Sequence, residues 1–209
     1  MTDRTAAIRL IAVGDLQLGD SATCVGFGFR SRVTDRALRS ALERLVSVIG
    51  RSDVGFANLE TPLSDLGLDS RRRQSRQLRG APSYAQVLRC GGFSVVNVAN
   101  NHALEHGPEV FRDSVSRVEA TGVTICGRRG SAGWSSEPAV KIVRDLRIGF
   151  LGYSLRPSQA AVDVRPHAEA TVEQIGRGPA VQAAVSLHQW AVSLRQWAID
   201  TFLSDRIFS

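Results

Sequence analysis

Three short polar runs in this chain gather side chains that can bind a cation or move a proton. The run Asn100-Asn101-His102-Ala103-Leu104-Glu105-His106-Gly107 follows an apolar stretch, Phe93-Ser94-Val95-Val96-Asn97-Val98, and precedes a helical pattern that starts near Pro108. Gly14-Asp15 closes an apolar run over residues 8–13, and Asn58-Leu59-Glu60 closes another that begins at Val54. Hard or borderline divalent cations favour carboxylate, imidazole and carbonyl oxygen together. Asp15, Glu60, Asn101 and His102 supply that set, and placement at the ends of different strands lets them converge on one crevice. In a two-metal site the ions stand about 3.5–4 Å apart and lower the pKa of a bound water. An imidazole such as His102 then protonates the leaving group.

Each piece also has a plainer reading. Gly-Asp after a strand is a common turn. Glu60 is equally able to cap the following turn. Asn101 tolerates the awkward backbone after a strand. Glu105, just before or in the first turn of a helix, answers a helix dipole without any catalytic role. His106 reads as a solvated turn residue.

The elements that must hold these residues alternate. Residues 8–13 predict a buried strand, and a Gly-rich loop, Val25-Gly26-Phe27-Gly28-Phe29, follows it. Thr34 is placed to cap a helix that runs to about Ile49, with Leu38, Leu42, Leu45, Val46 and Ile49 at helical spacing and Gly50 as its stop. Residues 54–59 predict a second strand. The polar stretch 64–80, with Arg71-Arg72-Arg73 and Arg76, reads as a mobile surface loop. A short helix over 83–90 ends at Gly91-Gly92, and a third strand spans 93–98. The helix over 108–120 turns Val110, Phe111, Ser114, Val115 and Val118 inward, and a fourth strand spans 123–126. Residues 139–143 and 146–153 predict a hairpin turning near Arg144-Asp145. This alternation is that of an α/β layer fold.

The chain has 209 residues, 43% hydrophobic and 22% charged, so it can bury a core and is not a disordered polymer. Its net charge of +6 favours anionic partners. Lys141 is the single lysine, so the positive charge is almost all arginine, as coding bias in a GC-rich genome would also give. No basic helix, aromatic platform or zinc-finger spacing supports a specific nucleic-acid partner. Cys24, Cys90 and Cys126 are odd in number and widely spaced, which suits a reducing compartment rather than a disulfide framework. No signal peptide or membrane-spanning run is visible, and a cytoplasmic location is expected.

After about Arg156 the texture changes. Ala184-Val185-Ser186-Leu187-His188-Gln189-Trp190 is followed by Ala191-Val192-Ser193-Leu194-Arg195-Gln196-Trp197, a tandem seven-residue repeat. Leu187, Trp190, Leu194 and Trp197 form a helical stripe. A first domain over 1–156 and a divergent, partly helical segment over 157–209 are therefore expected.

The runs Gly14-Asp15-Leu16-Gln17-Leu18-Gly19, Asn58-Leu59-Glu60-Thr61-Pro62-Leu63-Ser64 and Ala99-Asn100-Asn101-His102-Ala103-Leu104-Glu105-His106-Gly107 resemble, in order and spacing, the bacterial capsule-synthesis CapA family, also called the poly-γ-glutamate synthesis family. The resemblance spans residues 8–153. It implies a layered α/β/β/α sandwich related to calcineurin-like metallophosphoesterases, with Asp15, Glu60, Asn101 and His102 as metal-site residues and His102 as the catalytic one. It implies divalent cofactors (manganese, iron or zinc) and an anionic polymer or phosphoester as substrate. The family usually carries Asp where this chain has Glu105. Its later Leu-His-Trp-Gly run is matched only as far as Leu187-His188, and the His-rich cluster beyond it is absent, since His167 and His188 are the only other histidines. The second sheet is accordingly expected to be incomplete. The chain resembles a truncated or frame-shifted member, or a natural short form. Two functions follow: a metal-dependent hydrolase of polymer synthesis, or a truncated non-catalytic remnant or anionic-polymer binding protein.

Overall fold

A computed structural model of the chain describes residues 7–154, except 22, 24, 131, 132 and 135–137. In chain order the elements are β1 (Leu10–Leu16), α1 (Phe29–Arg32), α2 (Asp35–Ile49), β2 (Val54–Leu59), α3 (Arg73–Arg76), α4 (Tyr84–Cys90), β3 (Val95–Asn97), α5 (Pro108–Ala120), β4 (Thr124–Cys126), β5 (Arg129–Gly130), β6 (Gly133–Trp134), β7 (Ala139–Val143) and β8 (Leu146–Phe150). Strands β1 to β4 form one parallel sheet in the order β1-β2-β3-β4. Parallel neighbours need a crossover between them, and the helical segments supply it. The chain is thus an α/β protein.

The central strands are buried on both faces, which is why they read as continuous apolar runs rather than alternating ones. Ala57, Leu59, Val96 and Ile125 join the core with Ile49, Leu88, Phe111 and Val118 from the helices. Val54, Phe56, Val95 and Cys126 face the other way and meet Phe150 of β8. The rings of Phe56 and Phe150 stack with centroids 5.6 Å apart and planes 9° from parallel. Full burial of a side chain such as Leu88 or Phe93 stabilises by about 1.5–3 kcal/mol, and both are 2% exposed. The β7–β8 hairpin, paired antiparallel from Ala139↔Phe150 to Val143↔Leu146, is a separate two-stranded sheet. Its turn is tight enough to hold Arg144 at φ 54°. The remainder of the expected four-layer arrangement, the seven-residue repeat, His167 and His188 lie outside the described residues.

Helix boundaries follow local chemistry. The Thr34 side chain accepts a hydrogen bond from Ala37 N at 3.3 Å, so α2 starts where the cap predicts. Helix α5 begins after Gly107, whose φ of 89° few other residues tolerate, with Pro108 in its first turn. All five residues expected on its inner side are buried.

Four expectations change. β1 does not end at Gly14-Asp15 but runs through to Leu16. It is half exposed rather than buried, because among the described strands it stands at the sheet edge. Val46 on α2 is 43% exposed, since Ile49, Leu38 and Leu45 already make the contact with the core. The stretch 64–80 is not simply a solvated surface loop. It carries α3 and rejoins the body through parallel bridges Asp20↔Gln77 and Leu63↔Gly80. Arg79, 2% exposed, binds it from within. Its guanidinium donates to the carbonyls of Ser64 at 2.6 Å and Ser75 at 3.4 Å, and to that of Leu66. Burial lowers the Arg79 pKa, but three carbonyl acceptors hold the cation in place of water.

Candidate functional site

The C-terminal ends of the four parallel strands carry one polar rung. Asp15 is registered with Asn58, Asn58 with Asn97, and Asn97 with Cys126. The first of these pairings depends on an irregularity in β1. Ala12 pairs with Phe56, yet Asp15 pairs with Asn58, so Val13 and Gly14 together oppose Ala57. This bulge re-aims the following side chain, and without it Asp15 would fall level with Leu59. A hydrogen-bonded line then runs along the rung. Cys126 Sγ lies 3.9 Å from Asn97 Oδ1, Asn97 Nδ2 donates to Asn58 Oδ1 at 2.9 Å, and Asn58 Nδ2 donates to Asp15 Oδ1 at 2.8 Å. The other proton of Asn58 Nδ2 goes to Glu60 Oε2 at 2.5 Å. Two carboxylates thus share one amide nitrogen. Burial raises the pKa of Glu60, and the charge of Asp15 adds to that rise, against the pull of His102.

The second half of the site is the turn between β3 and α5. Asn100, 4% exposed, ties it down. Its Nδ2 donates to Leu59 O at 2.9 Å and to Asn58 Oδ1 at 3.3 Å, while its Oδ1 accepts from His102 N at 3.1 Å. The His102 ring is then clamped on both nitrogens. Nδ1 lies 2.8 Å from Glu105 Oε2, and Nε2 lies 2.9 Å from Asn101 Nδ2 and 3.5 Å from Glu60 Oε1. A neutral ring with its proton on Nδ1 satisfies the first two contacts, donating to Glu105 and accepting from Asn101. The Glu105 hydrogen bond raises the pKa of His102 above the ordinary value despite burial. Burial pushes the Glu105 carboxyl up, but hydrogen bonds from His102 and Gln77 outweigh it and hold the group below its usual range.

Asp15, Glu60 and His102 therefore meet at one end of the sheet, with Asn101 attached through the His102 ring. Neither Glu105 nor His106 lies in the first turn of α5; both precede Gly107. Glu105 contacts His102 rather than a helix terminus. His106 is not a solvated turn residue: its Nε2 donates to Gln77 O at 2.7 Å, and burial lowers its pKa. The residues that sequence reading passed over are Asn58, Asn97, Asn100 and Gln77. Asn58, one residue before the end of β2, and Asn97, at the end of β3, interrupt otherwise apolar strands, and that interruption is the one signal the sequence offers for them. Gln77 gives none.

The donor types suit a divalent cation: two carboxylates, an imidazole and an amide. The described side chains do not close a cage, however, and no group of three His, Cys, Asp or Glu converges closely enough to hold an ion. Asn58 Nδ2 instead satisfies Asp15 and Glu60. A cation would have to replace those two hydrogen bonds.

An α/β protein with a carboxylate–amide–imidazole site at the ends of parallel strands is the class that fold and site define. The sequence profile described as bacterial capsule synthesis protein PGA_cap matches residues 9–196, and the chain belongs to that family. The match continues past Tyr153 and through His188, further than the spacing of the three runs alone carries the likeness. Two relatives from Sinorhizobium fredii (strain NBRC 101917 / NGR234), the uncharacterized proteins y4sH and y4uA, are each 26% identical over 114 residues, which is 52% of this chain and 24% of theirs. The chain thus matches about a quarter of the length of these curated relatives. Among the described residues, no helix is long and apolar enough to cross a membrane.

Proposed function

We propose that the chain serves bacterial capsule or poly-γ-glutamate polymer synthesis through a divalent-metal-assisted, phosphoesterase-type site at these strand ends. Family membership supports the first part. The observation that carries the second is the meeting of Asp15 and Glu60 with the His102–Glu105 pair. Asp15, Glu60, Asn101 and His102 are the residues that would hold the ion. A bound cation supplies Lewis-acid activation of water and of an anionic oxygen. The chain's own groups divide the remaining work. Glu105 holds His102 Nδ1, which leaves Nε2 as the atom that carries or releases a proton. Nε2 cannot hold a cation and a proton at once, so Asp15, Glu60 and Asn101 are the residues that would hold the ion wherever His102 serves as the acid. The substrate is an anionic polymer or a phosphoester.

The test combines metal content with turnover of bis-p-nitrophenyl phosphate in manganese, iron or zinc. Stoichiometric metal, and activity lost by about a hundredfold or more in His102→Ala, are expected. A wild-type protein that binds none of the three metals refutes the metal site. The second reading is a non-catalytic binder of an anionic polymer. It is favoured by the hydrogen bonds that already satisfy Asp15 and Glu60, and by Arg71 and Arg72, whose side chains are 88% and 80% exposed. Retention of polyglutamate without metal or turnover would establish it instead.

A further inference from the structure

We propose that Gln77 is a positioning residue for His102: its side-chain amide holds Glu105 in the one orientation that keeps the His102 proton on Nδ1. Gln77 Nε2 donates to Glu105 Oε1 at 3.0 Å, and the other oxygen, Oε2, meets His102 Nδ1 at 2.8 Å. The Glu105 side chain is only 12% exposed, so water cannot readily replace a lost donor. With one oxygen held by Gln77, the other has a single direction left, and that direction is towards the imidazole. A hydrogen bond at one ring nitrogen decides which tautomer the other presents.

Residue 77 is itself held firmly. Its N–H donates to Arg73 O at 3.2 Å and its carbonyl accepts from His106 Nε2 at 2.7 Å. The next residue, Leu78, takes φ 46° and donates to Asp20 O at 2.7 Å. Asp20 is buried, and its carboxylate accepts from Gly26 N, Ser31 N and Ser31 Oγ, which fixes the 20–31 segment. Arg79 gathers three carbonyls of the same loop. The contact between 77 and 105–106 is reciprocal: Gln77 holds Glu105 with its side chain, and His106 holds Gln77 by its backbone. A segment rich in arginine, remote in sequence from the polar turn, therefore sets the geometry of the turn's central imidazole. The catalytic consequence rests on the reading of His102 proposed above; the positioning itself does not.

The test is the 15N spectrum of histidine-labelled, metal-free full-length protein in EDTA, at alkaline pH where the ring is neutral. Wild type is expected to show His102 with its proton on Nδ1. Gln77→Met keeps the size and removes the donor, and Gln77→Glu sets a carboxylate against Glu105. Both are expected to shift His102 towards the Nε2–H form that free imidazoles favour, with circular dichroism unchanged. If the protein turns over bis-p-nitrophenyl phosphate, both variants lower kcat by about 10–100-fold, the range for an orienting partner of a site residue, and leave KM little changed. An Nε2–H ring in the wild type overturns the inference, as does a folded variant that keeps the wild-type tautomer. Failure to bind metal or to turn over substrate bears on the proposed function and leaves the tautomer result standing.

Discussion

Replacing Asn58 by aspartate tests the polar rung with one atom. Asn58→Asp keeps an oxygen where Asn97 Nδ2 and Asn100 Nδ2 now donate, at 2.9 and 3.3 Å. It replaces the nitrogen that gives its two protons to Asp15 and Glu60 with an oxygen that repels them. A hydrogen bond to a charged partner is worth about 1.5–3 kcal/mol. That value applies to Glu60, whose side chain is 14% exposed. The solvated Asp15 adds about 0–1 kcal/mol after screening. The sum is about 1.5–4 kcal/mol of lost stability at pH 7. At about 3 °C per kcal/mol for a domain of this size, Tm falls by roughly 5–12 °C. The loss should depend on pH in a defined direction. Glu60 in the wild type already has a raised pKa. A third carboxylate raises the pKa of Glu60 further, so the variant takes up protons at higher pH. The gap to wild type then narrows as pH falls towards 4. Manganese should narrow it as well at pH 7, because the cation replaces the lost amide protons. Thermal melts between pH 4 and 8, with EDTA or manganese, read all three effects. An Asn58→Asp protein within about 0.5 kcal/mol of wild type at pH 7, the range of an indifferent surface change, refutes the account of the rung.

His106→Gln should flatten the acid side of the stability curve. The folded-state pKa of His106 is depressed by burial, so its contribution is present above the unfolded value near 6.5 and is lost as pH falls through the lower, folded one. Urea unfolding of both proteins from pH 7 to 5 checks this, and a variant with the same slope as wild type contradicts it. Arg79→Met removes the donor that three carbonyls share, the one at Ser64 buried, and should cost about 1–3 kcal/mol, as leaving a buried acceptor unsatisfied does. A melt unchanged within error would show the loop is held otherwise. Thr34→Ala should lose about 1 kcal/mol through the missing cap of α2, measured by the same denaturation.

Local chemistry was enough to place α5 at 108–120, to pick its five buried residues, and to start α2 at Thr34. Each rests on contacts within a few positions, such as a cap, a positive-φ glycine or a repeat every three to four residues. The same holds for β2, whose largely apolar run over 54–59, interrupted by Asn58, needs no partner to be recognised. The three polar runs could also be assigned to strand ends, because apolar stretches stop at them. What those side chains do to one another was not available from the sequence. Asp15 meets Asn58 because a bulge at Val13-Gly14 shifts the register by one, and no local signal distinguishes that from an ordinary strand end. Glu105 could be read as a helix-dipole partner until the turn that carries it was seen to precede Gly107 and fold back on His102. Arg79 and Gln77 looked like members of a solvated loop, since a run of polar residues carries no sign that a few of its members turn inward. By itself the sequence determined which residue types stand at the strand ends and which helices cover the sheet, because periodicity and capping act over a few residues. Only the tertiary structure decided that Asn58 ties Asp15 to Glu60 and that Gln77 reaches Glu105 beside His102, because the Asn58–Asp15 and Gln77–Glu105 hydrogen bonds close between residues 43 and 28 positions apart.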